Sequence, residues 1–212
     1  LRSFNENRFV IVNKGRQLGL STLTAAHVLH KMLFNSDFNV LVVATKQEVA
    51  KNLVMKVRVM HENLPSWLKG KSLEDNKLSL RLNNGSQVKA VAASVDAGRS
   101  EALSLLVIDE AAHIEIIEEI WTSAQSTLST GGGALLISSP NGTGNLFHKK
   151  WVLAEQGKEF YPIRLPWYLH PERDQTWRDE QDNLLGIKMA AQENDCDFVT
   201  SGYTVIDGPI IQ

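Results

Sequence analysis

RFVIVNKGRQLGLSTLTAAHVLHKMLF, residues 8–34, runs from an apolar stretch through a polar, glycine-bearing loop into a helical pattern. Arg8-Phe9-Val10-Ile11-Val12 predicts a buried strand, because a short continuous apolar run suits a strand covered on both faces. From about Ser21 to Phe34, Leu23, Ala26, Leu29, His30 and Leu33 recur near helical spacing. Strand, glycine loop and helix in that order mark the place where a phosphate-binding loop lies, with backbone N–H groups and a helix N-terminus facing the anion. The pattern expected there is G-x-x-x-x-G-K-[ST]. Its second Gly falls on Gly19 and its hydroxyl on Ser21, but the lysine position holds Leu20, which cannot contact phosphate, and Lys14 stands in place of the first Gly.

Working outward, apolar β-rich runs alternate with helical ones. Asn39 to Ala44 predicts a second buried strand and Gln47 to about Leu64 a helix. Leu78, Leu80 and Leu82 alternate with polar residues, turn at Asn83-Asn84-Gly85 and return over Val88 to Ala92 as a hairpin with one buried face. Leu103 to Ile108 and Ala134 to Ser138 predict further buried strands, and Phe160 to Leu165 is a candidate strand. Gly142 to Glu155 and Thr176 to Asn194 read as helices. This order predicts an α/β fold with a mainly parallel central sheet flanked by helices, plus a β-hairpin insertion. With 212 residues, 43% hydrophobic and 22% charged, the chain suits one domain, 1–212.

A single Cys excludes a disulfide framework, and no apolar run is long enough for a membrane helix or signal peptide. A net charge of −2 argues against a strong overall grip on nucleic acid, though not against a local basic strip. Leu1 opens the chain without Met, which predicts a piece of a longer protein.

The loop needs a cation for the β- and γ-phosphates of a nucleotide. Lys14, at the end of the first strand, can arch over the loop, and Arg16 offers a bidentate fork. Gly15, Gln17, Leu18, Gly19, Leu20, Ser21 and Thr22 complete the predicted cradle, with Ser21 placing its hydroxyl on Mg2+. In isolation the same residues would fit a plain strand-to-helix turn with a solvated Lys14. A second signal tips the balance: ALSLLVIDEAAH, residues 102–113, ends an apolar strand in two adjacent acids, Asp109 and Glu110. An acid at a strand tip holds magnesium, and the next can deprotonate the attacking water. Loop and acid strand in this order predict a hydrolytic P-loop ATPase of the RecA-like (ASCE) class.

KGRQLGLST, VDAGRSEALSLLVIDEAAHI, LLISSPNGTGN and LPWYLHPERD together resemble the ATPase domain of terminase large subunits, the DNA-packaging motors of tailed bacteriophages, most of all those of large myoviruses. The resemblance runs from about Arg8 to Gly202. It implies a "deviant Walker A" with the lysine displaced to Lys14, a Walker B acid at Asp109 and a catalytic base at Glu110. It further implies a coupling motif at Ser138-Ser139-Pro140 that senses the γ-phosphate, and an arginine finger at Arg99 for a neighbouring subunit. The family's adenine-contacting Gln motif is at best a remnant at Phe4-Asn5, and its nuclease domain would follow QENDCDFVTSG, so no nuclease activity is expected of this piece.

The implied function is ATP hydrolysis that drives double-stranded DNA into a procapsid. It would act as a homo-oligomeric ring on the portal protein, with the small terminase subunit, in the host cytoplasm and with no membrane. A helicase-like motor and a nucleotide-binding module without hydrolysis stand as alternatives. Trp67, Trp121, Trp151, Trp167 and Trp177 read as packing residues, Cys196 as a small buried one, Lys46 as a solvated charge, and the histidines form no zinc site.

Overall fold

Strand β1, Phe9–Lys14, shows why the sheet is buried on both faces: Val10 and Val12 enter one apolar cluster while Ile11, between them, enters the other. The computed structural model describes residues 1–97 and 102–198. In chain order these form α1 (Arg2–Glu6), β1, α2 (Leu20–Phe34), β2 (Asn39–Ala44), α3 (Gln47–Glu62), β3 (Ser72–Asp75), β4 (Ser79–Leu82) and β5 (Gln87–Ala92). Then follow β6 (Leu105–Asp109), α4 (Ile117–Leu128), β7 (Gly133–Ser138), α5 (Leu146–Glu155), β8 (Tyr161–Leu165), α6 (Gln175–Leu185) and α7 (Ile187–Ala190). The eight strands make one mixed sheet in the order β3-β4-β5-β2-β6-β7-β1-β8. From β5 to β8 every neighbouring pair is parallel.

Helices α2 and α3 cover the face of Val10 and Val12, and α4 and α5 cover the face of Ile11. Adjacent strands β1 and β7 therefore send their helices to opposite faces. The crevice that opens at their C-terminal ends is where ligands bind in sheets of this kind.

Three differences from the sequence expectation have clear causes. The expected hairpin forms from β4 and β5, and the main sheet takes it in: β5 pairs in parallel with β2, and the exposed strand β3 adds a third antiparallel member beyond β4. Ile117–Leu128, for which no helix was expected, forms α4 by burying Ile117, Ile120, Trp121, Ala124 and Leu128 at helical spacing. The long helix expected over 176–194 breaks at Gly186, whose φ of 78° ends α6, and then resumes as α7 and a π-helical turn over Ala191–Asp195. Of the five tryptophans, Trp121 and Trp151 are buried, but Trp67 is 81% exposed and is no packing residue. Among the described residues no helix is long and apolar enough to cross a membrane.

Candidate active site

Lys14 is the last residue of β1, so its stem leaves from a rigid strand rather than from the loop, and it is only 8% exposed. Asp109 ends β6 and Glu110 follows it. Strand β7 lies between β1 and β6, with Asn13 beside Ser138 and Ile137 beside Asp109. Two strand spacings, about 10 Å, separate the two backbones, and the long side chains close the gap. Lys14 Nζ donates to Glu110 Oε1 at 3.4 Å. The displaced cation and the second acid thus meet above the C-terminal end of β7.

Asp109 is buried, and its Oδ1 accepts the Glu110 N–H at 3.1 Å. Burial and then the neighbouring Glu110 push its carboxyl above the usual range, while Lys14 and the backbone donor pull it down. One ammonium facing two carboxylates leaves a negative charge unmatched in a desolvated place, which suits a divalent cation. Among the described residues no cluster of three or more His, Cys, Asp or Glu could hold a metal by itself, so any ion here would be completed by water, hydroxyl or phosphate.

The loop between β1 and α2 is shaped at both ends. Gly15 donates its N–H to the Leu165 carbonyl at 2.8 Å, and a Cβ there would stand 2.9 Å from the Asn194 carbonyl oxygen, so only glycine fits. Gly19 caps α2 with φ 73°, and its carbonyl accepts the N–H groups of Thr22 and Leu23 at 3.0 Å each. The N–H groups of Gln17, Leu18, Gly19, Leu20 and Ser21 have no hydrogen-bond partner among the described residues, which leaves a run of donors at the start of α2. Thr22 falls outside that run. Leu20, in the place of the usual lysine, is 5% exposed and belongs to the core cluster that joins α2 to β1 and β2. Apolar packing has taken that position.

Arg16 goes elsewhere. Its guanidinium pairs with Glu193, Nη2 donating to Oε1 at 3.1 Å and Nε to Oε2. Its N–H donates to the Glu193 carbonyl at 2.8 Å, and its carbonyl accepts from Arg173 Nη1 at 2.9 Å. Glu193, Asn194 and Arg173 are contacts of the loop that the sequence reading did not assign. Arg173 lies in the quoted LPWYLHPERD, but nothing local marks Glu193. Together with Trp177 and Gln17 these residues line a cleft of 370 Å³ beside the loop.

Ser138 and Ser139, expected to face the γ-phosphate, are buried. Ser138 Oγ accepts the Ala112 N–H at 3.1 Å, and Ser139 Oγ lies 3.3 Å from His113 Nε2, so both hydroxyls support the turn after Glu110. Arg99 lies outside the described residues.

A family model described as "Terminase large subunit, T4likevirus-type, N-terminal" matches residues 11–212. The fold is similar to the large terminase ATPase domain of Thermus phage P74-26, with a TM-score of 0.74 and 22% identity over 91% of this chain and 89% of that one. It is also similar to the large terminase of the thermophilic bacteriophage D6E in complex with ADP, with a TM-score of 0.71 and 12% identity over 92% of this chain and 49% of that one. The HK97 bacteriophage large terminase aligns with a TM-score of 0.63 and 18% identity over 88% of this chain and 39% of that one. The chain therefore spans half or less of the last two. At these identities the structural likenesses speak for the fold, which is that of RecA-like terminase ATPase domains.

Proposed function

We propose that this chain, which belongs to the T4-like type of terminase large subunit N-terminal domains, hydrolyses ATP and uses the energy to translocate double-stranded DNA. The observation that carries the reading is the meeting of Lys14 and Glu110 across β7, beside the open N–H groups of the loop. The phosphates of ATP would lie along Gly15 to Ser21 at the N-terminus of α2. Lys14, released from Glu110, would turn its ammonium to the terminal phosphate. Ser21 and, through water, Asp109 would hold Mg2+, which when bound neutralises charge on the β- and γ-phosphate oxygens. Glu110 takes a proton from water as the water oxygen bonds to the γ-phosphorus. The bond from that phosphorus to the β–γ bridging oxygen breaks, and ADP leaves with the bond's electron pair.

Arg99 would complete the site of the next subunit in a homo-oligomeric ring on the portal, with the small terminase subunit as a further partner. The whole chain would act as one ATPase unit. The test is phosphate release with MgATP by the wild type and by Glu110→Gln. The wild type should turn over, and the variant should bind a fluorescent ATP analogue yet release phosphate at background. Equal background rates in both would leave a nucleotide-binding module and remove the motor reading.

A further inference from the structure

Among the described residues, and besides the Lys14 contact to its carboxylate, the turn that presents Glu110 is held from outside at three points. Ser138 Oγ accepts from Ala112 N–H, Asn141 Nδ2 donates to the Ala112 carbonyl at 3.1 Å, and His113 Nε2 stands 3.3 Å from Ser139 Oγ. Glu110 has φ 55° and ψ 41°, a left-handed conformation that a side-chain-bearing residue keeps when its surroundings over-determine it. Within the turn, His113 N–H bonds to the Glu110 carbonyl at 2.9 Å and Ile114 N–H to that of Ala111 at 3.3 Å. These bonds close the loop but anchor it to nothing. Two of the three anchors reach the backbone of Ala112. The third is a side chain of the turn itself, and between the buried methyls of Ala111 and Ala112 and the core residue Ile114, only the imidazole has a polar group to offer.

We infer that His113 is a positioning residue for hydrolysis: its bond to Ser139 sets the orientation of the Glu110 turn and ties that orientation to the segment between β7 and α5. The inference rests on Glu110 serving as the base. The tie continues past Ser139. The Asn141 carbonyl accepts from Asn145 Nδ2 at 2.9 Å, and Asn145 Oδ1 caps α5 by accepting the His148 N–H at 2.9 Å. Rings of Phe147, His148 and Trp151 on α5 then pack against Phe198 at 6.0, 5.0 and 6.2 Å. Bonded and packed groups thus connect the Glu110 turn to Phe198.

The test compares wild type, His113→Ala, His113→Gln, Ser139→Ala and the Ala/Ala double variant. Steady-state phosphate release should show kcat of His113→Ala lowered about 10-fold, with KM for ATP within about twofold, because a displaced base slows chemistry rather than binding. His113→Gln, which keeps a polar group able to bond the hydroxyl, should recover to within about threefold of wild type. The double variant should be no slower than the slower single, as for two partners of one bond. A raised KM with kcat intact, a Gln variant as slow as Ala, or additive losses would overturn the inference.

Amide hydrogen exchange without nucleotide supplies a readout that does not depend on turnover. The amides of residues 111–114 should exchange about 10-fold faster in His113→Ala while those of β6 stay protected. Unchanged exchange sinks the positioning role. A wild type with no hydrolysis sinks the proposed function instead, and exchange then decides the hold of His113 on its turn.

Discussion

The two halves of the cleft are built in opposite ways. On the acid side, Asp109 and Glu110 are placed by neighbours in the sheet, with β7 supplying Ser138 and the residues after it clamping the turn. On the loop side, local backbone opens the N–H groups, but the residues at its start are set by distant partners: Arg16 by Glu193, Gly15 by the Leu165 carbonyl and Lys14 by Glu110 itself. The acid half is preorganised by β-sheet packing. The loop half is held by contacts from afar, and under the proposed function nucleotide would rearrange it, since Lys14 now faces Glu110.

That contrast can be broken most forcefully at the cation. Lys14→Ala should lower phosphate release by about 100- to 1,000-fold with the fold intact, the loss typical of removing a transition-state charge partner. Adding Leu20→Lys should not rescue it. That side chain is rooted in the core, and the substitution should cost about 2 kcal/mol of stability in denaturant titration. A rescued double variant would show that the usual lysine position remains open to phosphate.

The halves also differ in how pH acts on them. His27, on α2, is buried, packs edge-on against Phe4 at 5.5 Å and leaves Nδ1 without a partner among the described residues. Burial first, then the charges of Lys31, His30 and the N-terminus, lower its pKa to about 4. The folded state keeps it neutral, so the unfolded chain binds the extra proton between pH 6.5 and 4, and stability falls as pH drops through that window. The loss is up to about 3 kcal/mol. His27→Leu should flatten that slope in urea titrations at each pH.

Asp109 runs the other way. Its raised pKa means that the folded state holds the proton more tightly, so stability falls as pH rises through the acid range and stays lower above it. Asp109→Asn should therefore raise Tm at pH 7, without nucleotide or metal, by about 2 to 4 °C while ending hydrolysis. An unchanged or lower Tm would mean that the ionised acid is well compensated.

The smallest effect concerns the tether. Arg16 is largely exposed but its partner Glu193 is buried, so solvent screens the pair on one side only. Glu193→Gln should free Arg16 for phosphate and lower KM for ATP by about two- to fivefold. A raised KM would show that Glu193 positions the loop rather than restraining it.

Much of the fold could be read from the chain. Val10 to Val12, Val40 to Val43 and Leu105 to Ile108 are continuous apolar runs, and runs of that kind become strands covered on both faces. Helix α4 escaped because its buried Ile117, Ile120, Trp121, Ala124 and Leu128 are interleaved with Ser, Thr and Glu, which weaken a periodic signal though not the packing. The joining of β5 to β2 was hidden because a hairpin pattern says which residues face inward and not which strand lies next door. In the site, Lys14, Gly19, Asp109 and Glu110 stood out by motif spacing. Glu193, Asn194 and His113 did not, since each meets its neighbour through a contact that no short-range pattern encodes.

Local chemistry alone was enough to specify a strand ending in Lys14, a glycine-capped helix start and a strand tip with two acids, because backbone preference and apolar periodicity act over a few neighbouring residues. That Lys14 reaches Glu110, that Leu20 is buried, and that Ser138 and Ser139 bond the turn after Glu110 were settled by packing. Strand order brings together groups that lie 96 positions apart in the chain, and only the folded sheet fixes which of them share a crevice.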